Sequence, residues 1–464
     1  MRATPLSLLV APLLFVAPAC KKAPPVDERP PAQPASSSVV SAAALDAGPS
    51  AAPTAGACPP VDKAKVAAYT CDKRILAADV PALVDPDDTL APFYDRVLAL
   101  ARGKATEHVK IGMYGDSNLT ADALTGHMRR ILQARFGDGG HGYVALSQPW
   151  EWYSHNDVHH DGKWKLFRQI ATSTMRVKDN QYGFANIASE SATVGAAAWI
   201  STTEREAAKI GKTVSRFDVY FAKRPDGGRF DLELDKTFLR TVDTRADAWD
   251  AGFERVDTTD GPHELRVVIK GHGPVRLYGM VLEREPKSIQ VDSLGTGALN
   301  LEQMLFPRPE TRDPQLARRA YDLVIVHLGT NMFGTDKDNR KHAKELVAAF
   351  RKVRPGVPFL FMSPPDHVPD GATKTEGRIV TLSKTMKTVA AENAAAFWDF
   401  REAMGGDASM LEFIKKGLAE RDRIHLKKQG DEIMGERMVC ALWDGLGAYL
   451  EKHPDAGCAE PAKP

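Results

Sequence analysis

HVKIGMYGDSNLTADALTGHMRRILQARFG, residues 108–137, reads as a strand, a tight turn and a helix in succession. Val109, Ile111 and Met113 alternate with Lys110, Gly112 and Tyr114, the period of two that sets successive side chains on opposite faces of an extended chain. Leu124, Met128, Ile131, Leu132 and Phe136 then recur at helical spacing, with Thr120 as the predicted cap and Gly137 as the stop. Gly115, Asp116 and Ser117 stand between the two. Taken alone they are ordinary turn residues. A serine just past the carboxyl end of a strand is also where open α/β sheets build their sites, so the remaining chain decides whether Ser117 has chemical partners.

The alternation resumes from about residue 320. YDLVIVHL (321–328) is a continuous apolar strand, KHAKELVAAFRKV (341–353) a helix, VPFLFM (357–362) a strand, RIVTLSKTMKTVAAENA (378–394) a helix and AAFWDF (395–400) a strand. Such β/α alternation predicts a parallel sheet covered on both faces, closed by the helix QGDEIMGERMVCALWDGLGAYL (429–450). Between the halves the period changes. SRFDVYFAKRPDGGRFDLELDK (215–236) carries two alternating strands around a Pro-Asp-Gly-Gly turn, and HELRVVIKGHGPVRLYGMVLER (263–284) carries two more. An inserted all-β sandwich is expected over residues 151–286, splitting an α/β domain into 58–150 and 287–452. Trp150, Trp152, Trp164, Trp199 and Trp249 fall in or beside it. Each is read first as core, with a sugar-binding role kept for the insertion as a whole.

The chain of 464 residues has 43% hydrophobic and 26% charged residues, enough for two or three packed domains. Lys plus Arg number 61 against 60 Asp plus Glu, so no bulk field recommends nucleic acid as a partner. MRATPLSLLVAPLLFVAPAC, residues 1–20, has the layout of a secretory signal and is short for a membrane span. Its APAC end resembles a lipoprotein cleavage box, with Cys20 as the lipid-bearing residue and Ala17 where an aliphatic is usual. Export is expected, with a lipid anchor in the periplasm or outer membrane of a bacterium. Residues 21–57, rich in Pro, Ala and Ser, read as an extended tether, and 453–464 as a tail. With Cys20 lipidated, Cys58, Cys71, Cys440 and Cys458 remain, with three pairings open to them; Cys58 with Cys71 and Cys440 with Cys458 are the short-loop choices.

Ester hydrolysis by a serine needs a base, a carboxylate to orient it and donors where the oxyanion forms. RDRIHLKKQG (421–430) offers Asp422 and His425 close enough for one loop to present both. HLGTN (327–331) places Asn331 just after a buried strand, where it is either a turn residue or an amide donor. DSLGTGALN (292–300) supplies Gly295 and Gly297. WYSHNDVHHDG (152–162) gathers His155, Asp157, His159, His160 and Asp161. With no helix to project them on one face, these read as a polar loop, and no metal site is expected.

Gly-Asp-Ser after the first strand, a glycine block, Gly-x-Asn after a middle strand and Asp-x-x-His near the end together resemble the SGNH (GDSL-type) hydrolase family. The resemblance implies a flavodoxin-like three-layer α/β fold, Ser117 as nucleophile, Asp422 and His425 as its triad partners, and an oxyanion hole from Ser117, Gly297 and Asn331, with Gly295 as the alternative to Gly297. Asn118 stands where the common motif has Leu, and GTGA is one residue shorter than the usual block. ARFGDGGHGYVAL (134–146), followed by the inserted β-domain, resembles the periplasmic peptidoglycan O-acetylesterases. The expected activity is removal of O-acetyl groups from a cell-envelope polysaccharide, peptidoglycan first, with no cofactor. A polysaccharide O-acetyltransferase using the same site and a non-catalytic wall-binding lipoprotein are the alternatives.

Overall fold

The computed structural model describes residues 58–73, 76–162, 164–168 and 176–459; the expected signal segment, Cys20 and the tether lie outside them. After a short helix α1 (Lys63–Val66) and α2 (Ala91–Ala101), the chain forms β1 (Val109–Gly115), α3 (Leu124–Phe136) and β2 (Gly142–Ala145). A run of strands follows: β3 (Val158–Gly162), β4 (Lys165–Arg168), β5 (Ile187–Ser191), β6 (Ala197–Thr202), β7 (Val214–Lys223) and β8 (Arg229–Leu234). It continues through β9 (Thr237–Asp243), β10 (Asp250–Gly261), β11 (Glu264–Gly271), β12 (Val275–Glu283) and β13 (Ile289–Gly295). Alternation then returns with α4 (Pro309–Arg319), β14 (Leu323–His327), α5 (Asp336–Val353), β15 (Phe359–Met362), α6 (Gly377–Glu392) and β16 (Ala396–Trp398). Helices α7 (Phe400–Met404), α8 (Ser409–Lys415) and α9 (Lys428–Lys452) complete the chain.

Strands β13, β1, β14, β15 and β16 form a parallel sheet in that order. Val109, Ile111 and Met113 on one face of β1 share a core with Leu98 of α2, Leu132 of α3, and Met438 and Trp443 of α9. Val326 and Phe361 face the other way, toward Leu316 of α4, Phe350 of α5 and Met386 of α6. This is the expected three-layer arrangement. Gly112 and Tyr114, which alternation alone would leave on a polar face, are buried too, because helices cover both sides of a parallel sheet. Gly137 ends α3 at φ 94° as expected. Thr120 does not cap α3, which starts after Ala123 without a side-chain cap; its hydroxyl donates instead to the Ser117 carbonyl at 2.8 Å.

The remaining strands build two antiparallel sheets, one ordered β10-β7-β12-β5-β4 with β2 added on β12, the other β3-β6-β11-β8-β9. β7 and β8 are not partners despite the turn between them: β7 pairs with β10 and β12, and β8 with β11 and β9. β11 and β12 are likewise divided between the sheets. Each turn therefore carries the chain across a sandwich. β2 lies before residue 151 yet joins this layer, so the antiparallel part begins earlier in the chain than expected.

The layers are pinned by a buried ion pair. Arg319, at the end of α4, donates to Asp292 of β13 at 2.6 and 2.9 Å and to the Gln290 side chain at 2.8 Å. Asp292 also accepts from Tyr321 Oη at 2.7 Å and from the β2 backbone at Tyr143 N at 2.9 Å.

The disulfides are Cys58–Cys458 and Cys71–Cys440, so the short-loop pairings are overturned. Loop length does not choose a partner here: folding lays the first described residues along α9 and its end, and Arg102 binds the carbonyls of Ala456 and Pro454 at 2.9 and 2.6 Å and that of Pro59. Both bridges close loops of more than 350 residues, by the separations of 400 and 369. Substituting Cys71 and Cys440 together by Ser should lower unfolding stability by about 2–5 kcal/mol, measured as the denaturant midpoint, and dithiothreitol should shift the wild type in the same direction.

Candidate active site

Strand β1 delivers the serine through a tight turn that packs against its own glycine. A Cβ on Gly115 would lie 2.3 Å from Leu119 Cδ1, so glycine gives the Leu119 side chain room where the single 3-10 turn Ser117–Leu119 folds back on the strand. Asp116 caps that turn, accepting from Asn118 N and Asn118 Nδ2 at 3.1 Å each. Asn118, where the common motif has Leu, thus turns its amide inward to the Asp116 carboxyl, and Leu119 supplies the buried apolar contact. Burial raises the Asp116 pKa, opposed by the hydrogen bonds from Asn118.

Ser117 Oγ lies 2.8 Å from His425 Nε2, and His425 Nδ1 lies 2.6 Å from Asp422 Oδ2. The other Asp422 oxygen accepts the backbone N–H groups of Ile424 and His425 at 2.9 and 3.0 Å. Partial burial pushes the Asp422 pKa up, but the His425 side chain and these two N–H groups outweigh it and leave the carboxyl below its ordinary value. The loop is fixed at its base by Glu420 N to His425 O and by Lys427 N to Leu418 O, both 2.8 Å. Arg423, at φ 61°, reaches the Pro369 carbonyl at 2.6 Å. The Ser117, Asp422 and His425 singled out from sequence, more than 300 positions apart for serine and histidine, are together.

The parallel order β13-β1-β14 sets three carboxyl ends side by side. Asn331, past β14, directs its side-chain amide at Asp116 Oδ2, 3.4 Å away. Gly295 ends β13 opposite Gly115. A Cβ on it would meet the Leu119 carbonyl at 2.1 Å, so its smallness serves the turn behind the serine. Gly297 sits in the next turn, half-buried, ahead of Ala298 at φ 60°. Sequence reasoning passed over Asp116 as a contributor. Its signal was available, since it is the one acid between the strand and its serine.

The histidine-rich stretch divides. His159, His160 and Asp161 lie in β3 and not in a loop. His155 is buried, with Nδ1 2.7 Å from His141 Nε2 and 3.4 Å from Asp122, and Nε2 2.8 Å from Tyr153 Oη. Asp122, His141 and His155 are metal-ligand types within 4.8 Å of one another. Arg129 occupies both oxygens of Asp122 at 2.7 and 3.0 Å, and the two imidazoles face each other at hydrogen-bond distance. The donor set is therefore already an ion pair with a hydrogen-bonded histidine chain. Burial, with Arg129 adding to it, holds the His141 pKa well down.

The tryptophans divide as well. Trp150 and Trp164 are core, and Trp199 and Trp249 are half-buried, Trp249 beneath Arg224 and Arg276 at 4.5 and 5.0 Å. Trp152 is 59% exposed, against the expectation of core.

Residues 266–433 match the GDSL-like Lipase/Acylhydrolase family. That span contains Gly297, Asn331, Asp422 and His425, while the insertion holds Ser117 outside it. A solved structure described as "Peptidoglycan O-acetylesterase in action, 5 min" is similar at 23% identity and TM-score 0.66, covering 79% of this chain and 99% of that one. A family two carbohydrate esterase from Clostridium thermocellum in complex with cellohexaose is 13% identical over 56% of this chain and 95% of that one, at TM-score 0.27, a likeness too slight to carry weight. No curated protein matches the chain in sequence. The family match over residues 266–433, joined to this fold, supports a carboxylic ester hydrolase of the GDSL-like lipase/acylhydrolase (SGNH) type.

Proposed function

We propose that this protein removes O-acetyl groups from a cell-envelope polysaccharide, peptidoglycan before others, with Ser117 as nucleophile, His425 as base and Asp422 as its orienter. The observation that carries the reading is the continuous relay from Ser117 Oγ to His425 and from His425 to Asp422, at 2.8 and 2.6 Å. Asp422, kept ionised by its hydrogen bonds, accepts from Nδ1–H and so leaves Nε2 free to take the serine proton. Oγ attacks the acetyl carbonyl, and the negative charge on its oxygen is met by the Ser117 and Gly297 backbone N–H groups and the Asn331 amide. His425 returns the proton to the departing sugar hydroxyl, giving an acetyl-enzyme. Water activated by the same imidazole then releases acetate.

The side chains of His425 and Asp422 are 37% and 45% exposed. A relay at an open surface suits an acyl group carried on a long chain. The fold shared with a peptidoglycan O-acetylesterase supports the choice of glycan. Cys20 as lipid attachment, with residues 21–57 as tether, holds the enzyme at the envelope, and the two disulfides among the described residues fit an oxidising compartment.

Acetate release from O-acetylated peptidoglycan, compared with acetylated xylan and a small aryl acetate, tests the substrate. Peptidoglycan giving no acetate while the aryl ester turns over would overturn it. Supplying a glycan acceptor in the same assay should leave free acetate dominant over acetylated acceptor. Asn331→Ala should lower kcat by about 10²–10³-fold with KM little changed, read in the aryl acetate assay.

A further inference from the structure

Two indoles bracket the turn that follows the serine. Trp150 is buried, and its Nε1 donates to the Thr120 carbonyl at 2.9 Å. Trp152 Nε1 donates at 3.0 Å to Thr120 Oγ1, the same hydroxyl that donates to the Ser117 carbonyl at 2.8 Å. The exposed indole is thus tied through one threonine to the nucleophile's own backbone. Its Nε1 is engaged with Thr120, and the residue is 59% exposed. Leaving an aromatic residue so exposed to water forfeits the hydrophobic gain of covering it, and the Nε1 bond favours this orientation of the side chain. A second exposed ring, Phe333 at 77%, lies two residues beyond Asn331, under Arg378 at 4.8 Å. An aromatic face held against the serine turn, and another on the loop bearing the amide, therefore stand beside an open relay.

We propose that Trp152 is a stacking platform for a pyranose ring of the glycan, receiving the apolar C–H face of a sugar next to the acetylated one and so selecting polymeric over small esters. This rests on the polysaccharide reading of the site and adds the residue that recognises the sugar. An amphipathic ring, apolar on its face and polar at its rim, complements an indole whose edge is held and whose face is bare.

The test compares kcat/KM for O-acetylated peptidoglycan oligosaccharides and for an aryl acetate in wild type, Trp152→Ala and Trp152→Phe. With Trp152→Ala the glycan value should fall about tenfold or more beyond any fall with the aryl ester, chiefly through KM. Trp152→Phe keeps a ring but not the Nε1 donor, and should recover most of the glycan preference. Equal losses on both substrates, or a Phe variant no better than Ala, would overturn the platform and leave Trp152 as a brace for Thr120. A wild type that hydrolyses the aryl ester but no acetylated glycan would instead overturn the polysaccharide reading and the platform with it. Binding of de-acetylated oligosaccharide to Ser117→Ala by calorimetry, weakened at least about fivefold by adding Trp152→Ala, gives the same answer without turnover; unchanged binding would count against the platform.

Discussion

Ser117→Ala should reduce kcat/KM for an aryl acetate by at least about 10⁴-fold. The serine Oγ is the atom at the head of the relay, 2.8 Å from His425 Nε2, and no other hydroxyl takes that position in the hydrogen-bond pattern of the described residues. In the proposed mechanism what survives comes from the oxyanion donors acting on water, which is why the expected loss is large but not total. His425→Ala should fall by a similar factor, and the double variant should be no worse than either single one, because base and nucleophile act as one unit. Additive losses would show that the two act independently, and an alanine variant as fast as wild type would mean that the acyl group is transferred elsewhere. The fold should be unaffected, since Oγ is tied only to that imidazole, and a melting curve on the same samples checks this.

The second large effect concerns stability. Arg319→Met should lower it by about 3–5 kcal/mol, since removing one member of a buried pair strands the other charge. The side chains of Arg319 and Asp292 are 1% and 0% exposed. Burial pushes the Asp292 pKa up, but Arg319 and the other donors more than reverse this and hold it below the ordinary value. A carboxyl depressed in the folded state contributes stability that is fully present above its unfolded pKa, about 3.9. That contribution is lost as pH falls through the folded value. Wild-type stability should therefore be insensitive to Asp292 above about pH 5 and decline below about pH 4. In Arg319→Met the carboxyl takes up a proton at higher pH, so the acid-side decline attributable to Asp292 should disappear. Urea midpoints across pH 3–7 for both proteins measure this; identical curves would show that the pair contributes nothing. Asp122 and Arg129, held well in favour of the ionised pair by the same balance, would still give a residual acid slope.

Strands and helices with strong periods were legible residue by residue. Leu323–His327 and Phe359–Met362 form within the apolar runs that announced them, and the last helix closes the sheet over Met438 and Trp443. Thr120 was misread because capping chemistry belongs to a local turn, and here the local competitor was the Ser117 carbonyl. The turn between β7 and β8 was legible as a turn, but partner choice was not: alternation states which residues face inward, whereas pairing depends on which strands the sandwich brings into register. The buried histidine chain was hidden for a related reason, since packing and not sequence spacing brings His141 and His155 into direct contact beside Asp122.

The resemblance of four motifs, in their order, to the SGNH family named Ser117, Asn331, Asp422 and His425 as a candidate set, while periodicity placed an all-β segment inside an α/β one, because motif order and periodicity are properties of the chain itself. Distances between those four, the pairing of Cys58 with Cys458 and Cys71 with Cys440, the covered or bare state of each tryptophan, and the glycine that crowds the serine turn were settled only when the sheet had formed. Packing brings together groups separated by hundreds of positions, and whether a side chain meets water or protein is decided by the neighbours that packing supplies.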